Sequence, residues 1–254
     1  MRRFLGSILN RLISWTGFII LRREKPGFEA GIAIELEAIE KEAIYKFRPY
    51  SMTSLERLST IALSMRYLKN NNIEGALVEC GVWAGGSIGL AAFLSQQKGE
   101  NRDVCLFDTF EGMTAPSEID SKEAHEGYKK TLLINGTSSW CAVNLLEVKS
   151  NLVSAGIALD RFSFIVGDVS TTLLEASNIP SKIALLRLDT DWYQSTYDEL
   201  THLYPRLVKG GVIIIDDFGA WEGARSAVTK YFEENKIYPL MIPIDETGRI
   251  FIKE

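Results

Sequence analysis

Two stretches of this chain place acids where acids are costly. An apolar run, 183–188, ends in Asp189-Thr190-Asp191, and a second, from Gly210-Gly211 to Ile215, ends in Asp216-Asp217. Residues 192–208 between them have the length and apolar spacing of one helix, so the whole reads as strand, crossover helix, strand. A right-handed crossover makes the strands parallel neighbours and brings their carboxyl ends to one sheet edge, where open α/β sheets keep their sites. Asp189, Asp216 and Asp217 then converge without evident basic partners, Arg187 lying two residues back on the same strand. Like charge at that density calls for protons or a cation. All-oxygen donors select a hard ion such as Mg²⁺, and the only histidines, His125 and His202, stand outside the cluster. The competing reading leaves Asp191 or Asp217 capping the following helix and another acid in solvent.

A second constellation lies upstream. Strand 76–80 runs into Gly81-Val82-Trp83-Ala84-Gly85-Gly86-Ser87 and a small-residue helix, 88–96, and the next strand, 104–107, closes on Asp108. Such a layout suits an adenosine-containing ligand: helix N–H groups are free, glycines admit close approach, and Asp108 can accept from both ribose hydroxyls. The G-x-G-x-x-G spacing of dinucleotide sites is absent, and Glu79 at the strand end would repel a pyrophosphate. S-adenosylmethionine carries an ammonium and a sulfonium, which a carboxylate attracts, so the turn favours that methyl donor. The plainer reading of the same glycines is tight strand–helix packing. Asp168, after strand 162–166, is a further acid at a strand end. Metal and donor together suggest that a metal-bound hydroxyl gives its proton to a carboxylate and its oxygen attacks the sulfonium methyl in line.

The elements that must hold these residues follow an α/β order. From Gly75 onward strands alternate with helices, including one over 140–155, which is the pattern of a mainly parallel sheet. Segments 238–244 and 249–253 read as a closing hairpin across Asp245-Glu246-Thr247-Gly248. Residues 111–138 form a polar insert too long for an ordinary connection, the kind of loop that serves as a lid or binding loop or else is disordered. His125 and Glu123 within it could touch an acceptor, although exposed polar loop residues commonly touch nothing. Upstream, 32–45 and 55–68 read as helices, and Thr53 or Ser54 can cap the second. The domain reading is therefore an arm over 1–25, a helical extension over 26–74 and a catalytic domain over 75–254.

With 254 residues, 46% hydrophobic and 24% charged, the chain can bury one substantial core. Cys80, Cys105 and Cys141 lack metal-ligand spacing and read as free thiols of a reducing, cytoplasmic compartment. A net charge of −5 argues against nucleic acid as a partner. The charge is uneven: residues 1–25 carry Arg2, Arg3, Arg11, Arg22, Arg23 and Lys25 against Glu24 alone. That basic, amphipathic arm either packs on the domain or on a second subunit, or lies on an anionic surface at the inner face of the membrane. Asn10 and Arg11 interrupt it before it could span a bilayer. A twofold homodimer is the expected assembly.

Met52-Thr53-Ser54, the segment Glu79 to Ser87, Asp108-Thr109-Phe110-Glu111-Gly112, Leu188 to Thr196 and Gly210-Gly211 to Asp216-Asp217 together resemble the macrocin O-methyltransferase (TylF-like) family. The resemblance covers about residues 45–235; Ala84 and Thr190 are modest departures. It implies a class I methyltransferase (Rossmann-like) sheet of seven strands with an antiparallel edge hairpin, and S-adenosylmethionine- and Mg²⁺-dependent methylation of sugar hydroxyls. Carried over by position, it implies that Thr53, Ser54, Glu79, Gly81, Trp83 and Ser87 surround the methionine part of the donor. Asp108 would hold the ribose with Phe110 and Glu111 nearby, and Asp168 would lie beside the adenine. Asp189, Asp216 and Asp217 would bind the metal, Asp189 ranking above Asp191 as proton acceptor. The expected acceptor is a glycosylated natural product or a glycan. The alternatives are a phenolic or catechol acceptor on the same scaffold, and a donor-binding module without catalysis.

Overall fold

The apolar runs of the sequence become the inner strands of a sheet because each is buried on both faces, the condition for which continuous Val, Ile and Leu are suited. In the computed structural model, which describes residues 30–134 and 136–254, the strands are β1 (Ala76–Cys80), β2 (Val104–Asp108), β3 (Phe162–Val166), β4 (Ile183–Leu188), β5 (Leu207–Ile215), β6 (Ile242–Pro243) and β7 (Arg249–Ile252). Their order is β3-β2-β1-β4-β5-β7-β6. The first five run parallel, while β7 is antiparallel to both β5 and β6. This is the expected seven-stranded class I methyltransferase sheet with its antiparallel edge hairpin. The chain leaves β1 towards β2 and β3, then returns to place β4 on the other side of β1. A crevice opens at the carboxyl ends of strands where the winding reverses in this way.

Side-chain alternation sends the two faces of the sheet to two cores. Leu77, Leu106, Ala184, Val212 and Ile214 join the helices α1 (Ala38–Phe47), α2 (Leu55–Asn70), α3 (Gly86–Gln97) and α5 (Leu145–Ser154). Val78, Cys80, Phe107, Leu186, Leu188, Ile213 and Ile215 join α6 (Val169–Thr172), α7 (Tyr193–Leu203) and α8 (Glu222–Asn235). The helical extension is thus part of one core and covers the sheet.

Helix boundaries differ from the periodicity where capping decides them. The helix expected over 32–45 starts at Ala38, because Glu37 and Glu40 form a capping box there. The helix expected over 140–155 starts at Leu145, where the Asn144 side chain accepts from the Glu147 N–H at 3.0 Å. The crossover helix ends at Leu203, followed by a 3₁₀ turn, Tyr204–Arg206, that contains Pro205 and hands the chain to β5. The long insert contains a further helix, α4 (Lys122–Thr131), capped by Ser121. Helix α8 has no counterpart in the sequence reading, and β6 is short because Pro243 lacks the N–H a ladder needs. The arm, 1–25, lies outside the described residues. No helix among the described residues is long and apolar enough to cross a membrane.

Candidate active site

Backbone hydrogen bonds lace the carboxyl ends of the parallel strands into one edge. The Gly81 N–H donates to the Phe107 carbonyl at 2.9 Å, Asp189 to Cys80 at 2.9 Å, Asp216 to Leu188 at 2.9 Å and Gly167 to Asp108 at 3.0 Å. Gly81 takes a left-handed conformation (φ +78°), and a Cβ there would lie 1.8 Å from the Asp189 carbonyl oxygen. The donor-side turn and the acidic loop therefore touch through a position that only glycine fits. Above this edge sits a cavity of about 280 Å³, lined on one side by Gly81, Trp83, Ser87, Asp108 and Asp168 and on the other by Asp189, Asp191, Asp216 and Asp217.

The acids are not all alike. Asp189, Asp191 and Asp217 each place a carboxylate oxygen within 4.8 Å of the others. Asp191 joins this group in a left-handed conformation, φ 68°. Asp216 is instead paired with two guanidiniums: Arg57 of α2 on Oδ2, and Arg187 of β4 at 2.7 Å on Oδ1. Arg187, 5% exposed, also pairs with Glu79 and reaches Asp189 at 2.7 Å. The expected absence of basic partners is thus corrected, and the trio that lies together contains Asp191 where the sequence reading had Asp216. A lone Arg inside the buried run of β4 was the available signal, because a guanidinium is almost never buried unpaired. Arg57 had none.

Burial pushes the carboxyls of Asp189 and Asp217 well above the ordinary range, and their acidic neighbours add to it against the pull of Arg187. Asp191 is pushed up to about 7, chiefly by burial, with Asp189 and Asp216 contributing. Glu79 is also raised to about 7 by burial, opposed by Arg187. Oδ2 of Asp217 is buried with no hydrogen-bond partner. Clustered carboxylates of this kind, with an orphaned oxygen, fit a hard divalent cation.

The donor side is built on Asp108. Its Oδ2 accepts from the N–H groups of Val82 (2.6 Å) and Trp83 (3.3 Å), and Oδ1 from Phe110 (2.8 Å). Helix α3 starts at Gly86, where a Cβ would meet the Tyr50 carbonyl at 2.5 Å, so this glycine lets residues 50–53 approach the helix amino terminus. Thr53 lines the cavity, and its hydroxyl is buried without a partner. Asp168 lines it too, while its side chain caps α6 through the Ser170 N–H at 2.9 Å.

Several expected donor contacts stand elsewhere. Ser54 caps α2 and donates to Asp245 at 2.8 Å, Glu79 is buried against Arg187, Phe110 is in the core and Glu111 is exposed; none lines the cavity. The insert forms a wall, contributing Gly112, Met113 and Thr114. Its Asp120 accepts from the Tyr193 N–H at 2.8 Å, and its Thr114 carbonyl accepts from Trp192 Nε1 at 2.9 Å. His125 bonds the Ser117 carbonyl at 3.0 Å, Glu123 is exposed, and neither reaches the cavity. The cysteines are free thiols; Cys141 lines the cavity.

Residues 44–253 match the family model described as macrocin-O-methyltransferase (TylF). The chain is 32% identical over 200 residues to demethyldecarbamoylnovobiocin O-methyltransferase of Streptomyces niveus, covering 78% of this chain and 74% of that protein. It is 34% identical over 200 residues, with the same coverage, to 8-demethyl-8-(2,3-dimethoxy-alpha-L-rhamnosyl)-tetracenomycin-C 4'-O-methyltransferase of Streptomyces olivaceus. Among solved structures, the O-methyltransferase NovP superposes with a TM-score of 0.71 at 30% identity, over 80% of this chain and 82% of NovP. With its sheet, its donor-side turn and its acidic strand ends in place, the chain belongs to the macrocin-O-methyltransferase (TylF) family and is an S-adenosylmethionine-dependent O-methyltransferase.

Proposed function

We propose that this enzyme methylates a sugar hydroxyl of a glycosylated small molecule or glycan, with the hydroxyl held at a Mg²⁺ ion beside the donor. The observation that carries the reading is the single cavity that Asp108 and Gly81 share with Asp189, Asp191, Asp216 and Asp217. Support also comes from the names of its relatives, which specify novobiocin, tetracenomycin and mycinamicin substrates, the tetracenomycin one carrying a rhamnosyl group.

Asp189, Asp191 and Asp217 are the residues that would hold the cation, in place of the expected Asp216, whose two oxygens Arg57 and Arg187 occupy. A bound Mg²⁺ supplies Lewis acidity, making a hydroxyl easier to deprotonate. Methyl transfer requires the hydroxyl O–H bond to break, an O–C bond to form, and the C–S bond to break with its electron pair left on sulfur. Asp189 takes the hydroxyl proton: Arg187 holds its Oδ2 at 2.7 Å and so fixes the carboxylate in orientation. Asp108 and the Gly81–Ser87 turn hold the donor, with Trp83 and Thr53 at its methionine end and Asp168 beside its adenine. The insert excludes water from the cavity by closing one wall. Arg57 and Arg187 balance Asp216 and keep the acidic edge folded.

Calorimetric titration with S-adenosylmethionine, with and without Mg²⁺, combined with a methyl-transfer assay on a panel of glycosides and catechols, tests this. Donor binding with Mg²⁺-dependent methylation of a glycoside is expected. Transfer only to catechols, or transfer indifferent to chelation, would overturn it. The arm, 1–25, is proposed as the contact to a second subunit or to an anionic membrane surface.

A further inference from the structure

Trp221 stands four residues after Asp217, and the fold turns it back to the cavity that the acids line. Its N–H donates to the Asp217 carbonyl at 3.0 Å, so a single turn ties the indole to the acidic cluster, and it lines the same cavity. Two other tryptophans brace it edge-to-face: Trp192 at 5.2 Å and 71°, and Trp140 at 6.0 Å and 65°. Trp192 is 2% exposed and has its indole N–H committed to Thr114. Trp221 is only half-buried, no ring stacks parallel on it among the described residues, and its indole N–H has no partner among them. Gly127 of α4 makes the arrangement feasible, since a Cβ there would lie 2.4 Å from the Trp140 ring. The insert, whose interior the sequence left open, thus fixes two rings so that a third can face a ligand.

We propose that Trp221 is the stacking platform for the acceptor sugar ring, a pyranose presenting its C–H face to the indole. This rests on the function proposed above and names the part of the acceptor that is read. A pyranose has an apolar C–H face and hydroxyls around its rim; laid on Trp221, it turns a rim hydroxyl towards Asp189, Asp191 and Asp217. An aromatic aglycone on the same indole would put a group without the reacting hydroxyl beside the acids.

The test uses saturation-transfer NMR on the full chain with S-adenosylhomocysteine and MgCl₂, offering methyl α-L-rhamnopyranoside and 4-nitrocatechol in separate arms. Saturation is expected on the ring C–H protons of the rhamnoside, reduced roughly tenfold in Trp221→Ala and partly retained in Trp221→Phe. Calorimetry of S-adenosylhomocysteine reports on folding and is expected to be unchanged in both variants. Rhamnoside saturation undiminished in Trp221→Ala, or saturation confined to the catechol, overturns the proposal. Wild-type protein that binds S-adenosylhomocysteine but not the rhamnoside overturns this proposal alone, whereas failure to bind S-adenosylhomocysteine overturns the functional reading as well.

Discussion

Arg57 and Asp216, 159 positions apart in the chain, form an ion pair in the wall of the cavity. The same guanidinium binds Asp245 at 2.8 Å and reaches Thr247, both in the turn between β6 and β7. One side chain therefore joins the helical extension, the acidic edge and the closing hairpin.

Arg57→Ala should cost about 3 kcal/mol of stability, because it leaves Asp216 and Asp245 short of a cation in a largely buried setting. Urea unfolding measures it. An unchanged midpoint would show that the ion pairs merely decorate a hairpin held by its strands. Asp245 lies below the ordinary carboxylate range, burial being outweighed by hydrogen bonds from Arg57, Gly248, Ser54 and Thr247. Its contribution is present above the unfolded value near 4 and is lost as pH falls through the folded one, so Asp245→Asn should flatten the acid limb of the stability curve.

Asp189→Asn should abolish methyl transfer while leaving donor affinity nearly unchanged, since Asp189 lies on the acidic side of the cavity and Asp108 on the other. Rapid-quench assay and calorimetry give the two readouts. Near-normal turnover would pass the proton to Asp191, which shares the cluster.

Metal and pH should act on stability together. Asp191 is raised to about 7 and Asp189 and Asp217 are raised by burial as well, so the fold binds protons that the unfolded chain has already released above about pH 4. Metal-free protein is then expected to lose stability as pH rises from about 4 through 7. Mg²⁺ replaces those protons, so it should raise the melting temperature more at pH 8 than at pH 5.5, and Asp217→Asn should shrink the difference. An equal metal effect at both pH values would place the ion elsewhere.

Gly81→Ala should destabilise by about 3 kcal/mol or more, combining left-handed strain with a Cβ set 1.8 Å from the Asp189 carbonyl. If the protein survives, donor affinity and turnover should fall together, as both sides of the cavity meet at this glycine. Crystals of the variant with an undisplaced 189–191 loop would contradict the account.

Much of this was legible in the chain. Continuous apolar runs such as 183–188 and the residues up to Ile215 could only be inner strands, and an acid directly after each could only stand at a carboxyl end. The glycines at 81, 85 and 86 marked a turn before a helix, and Asp108 an acid beside it. Less legible was the insert: α4 is polar on most of its surface and buries only Ala124, so its periodicity carries little signal. Helix starts at Ala38 and Leu145 were set by local capping, which overrides apolar spacing within a turn.

What the sequence by itself determined is the list of acids at the edge and the turn that faces them, because strand direction and crossover handedness leave no other place for them. Only the tertiary structure decided which acid meets which cation. Arg57 reaches Asp216 from α2, Arg187 gathers Glu79, Asp189 and Asp216, and Asp191 swings beside Asp189 and Asp217 through a left-handed backbone. Those pairings depend on distances between residues far apart in the chain, and no pattern of neighbours along it encodes a distance across a fold.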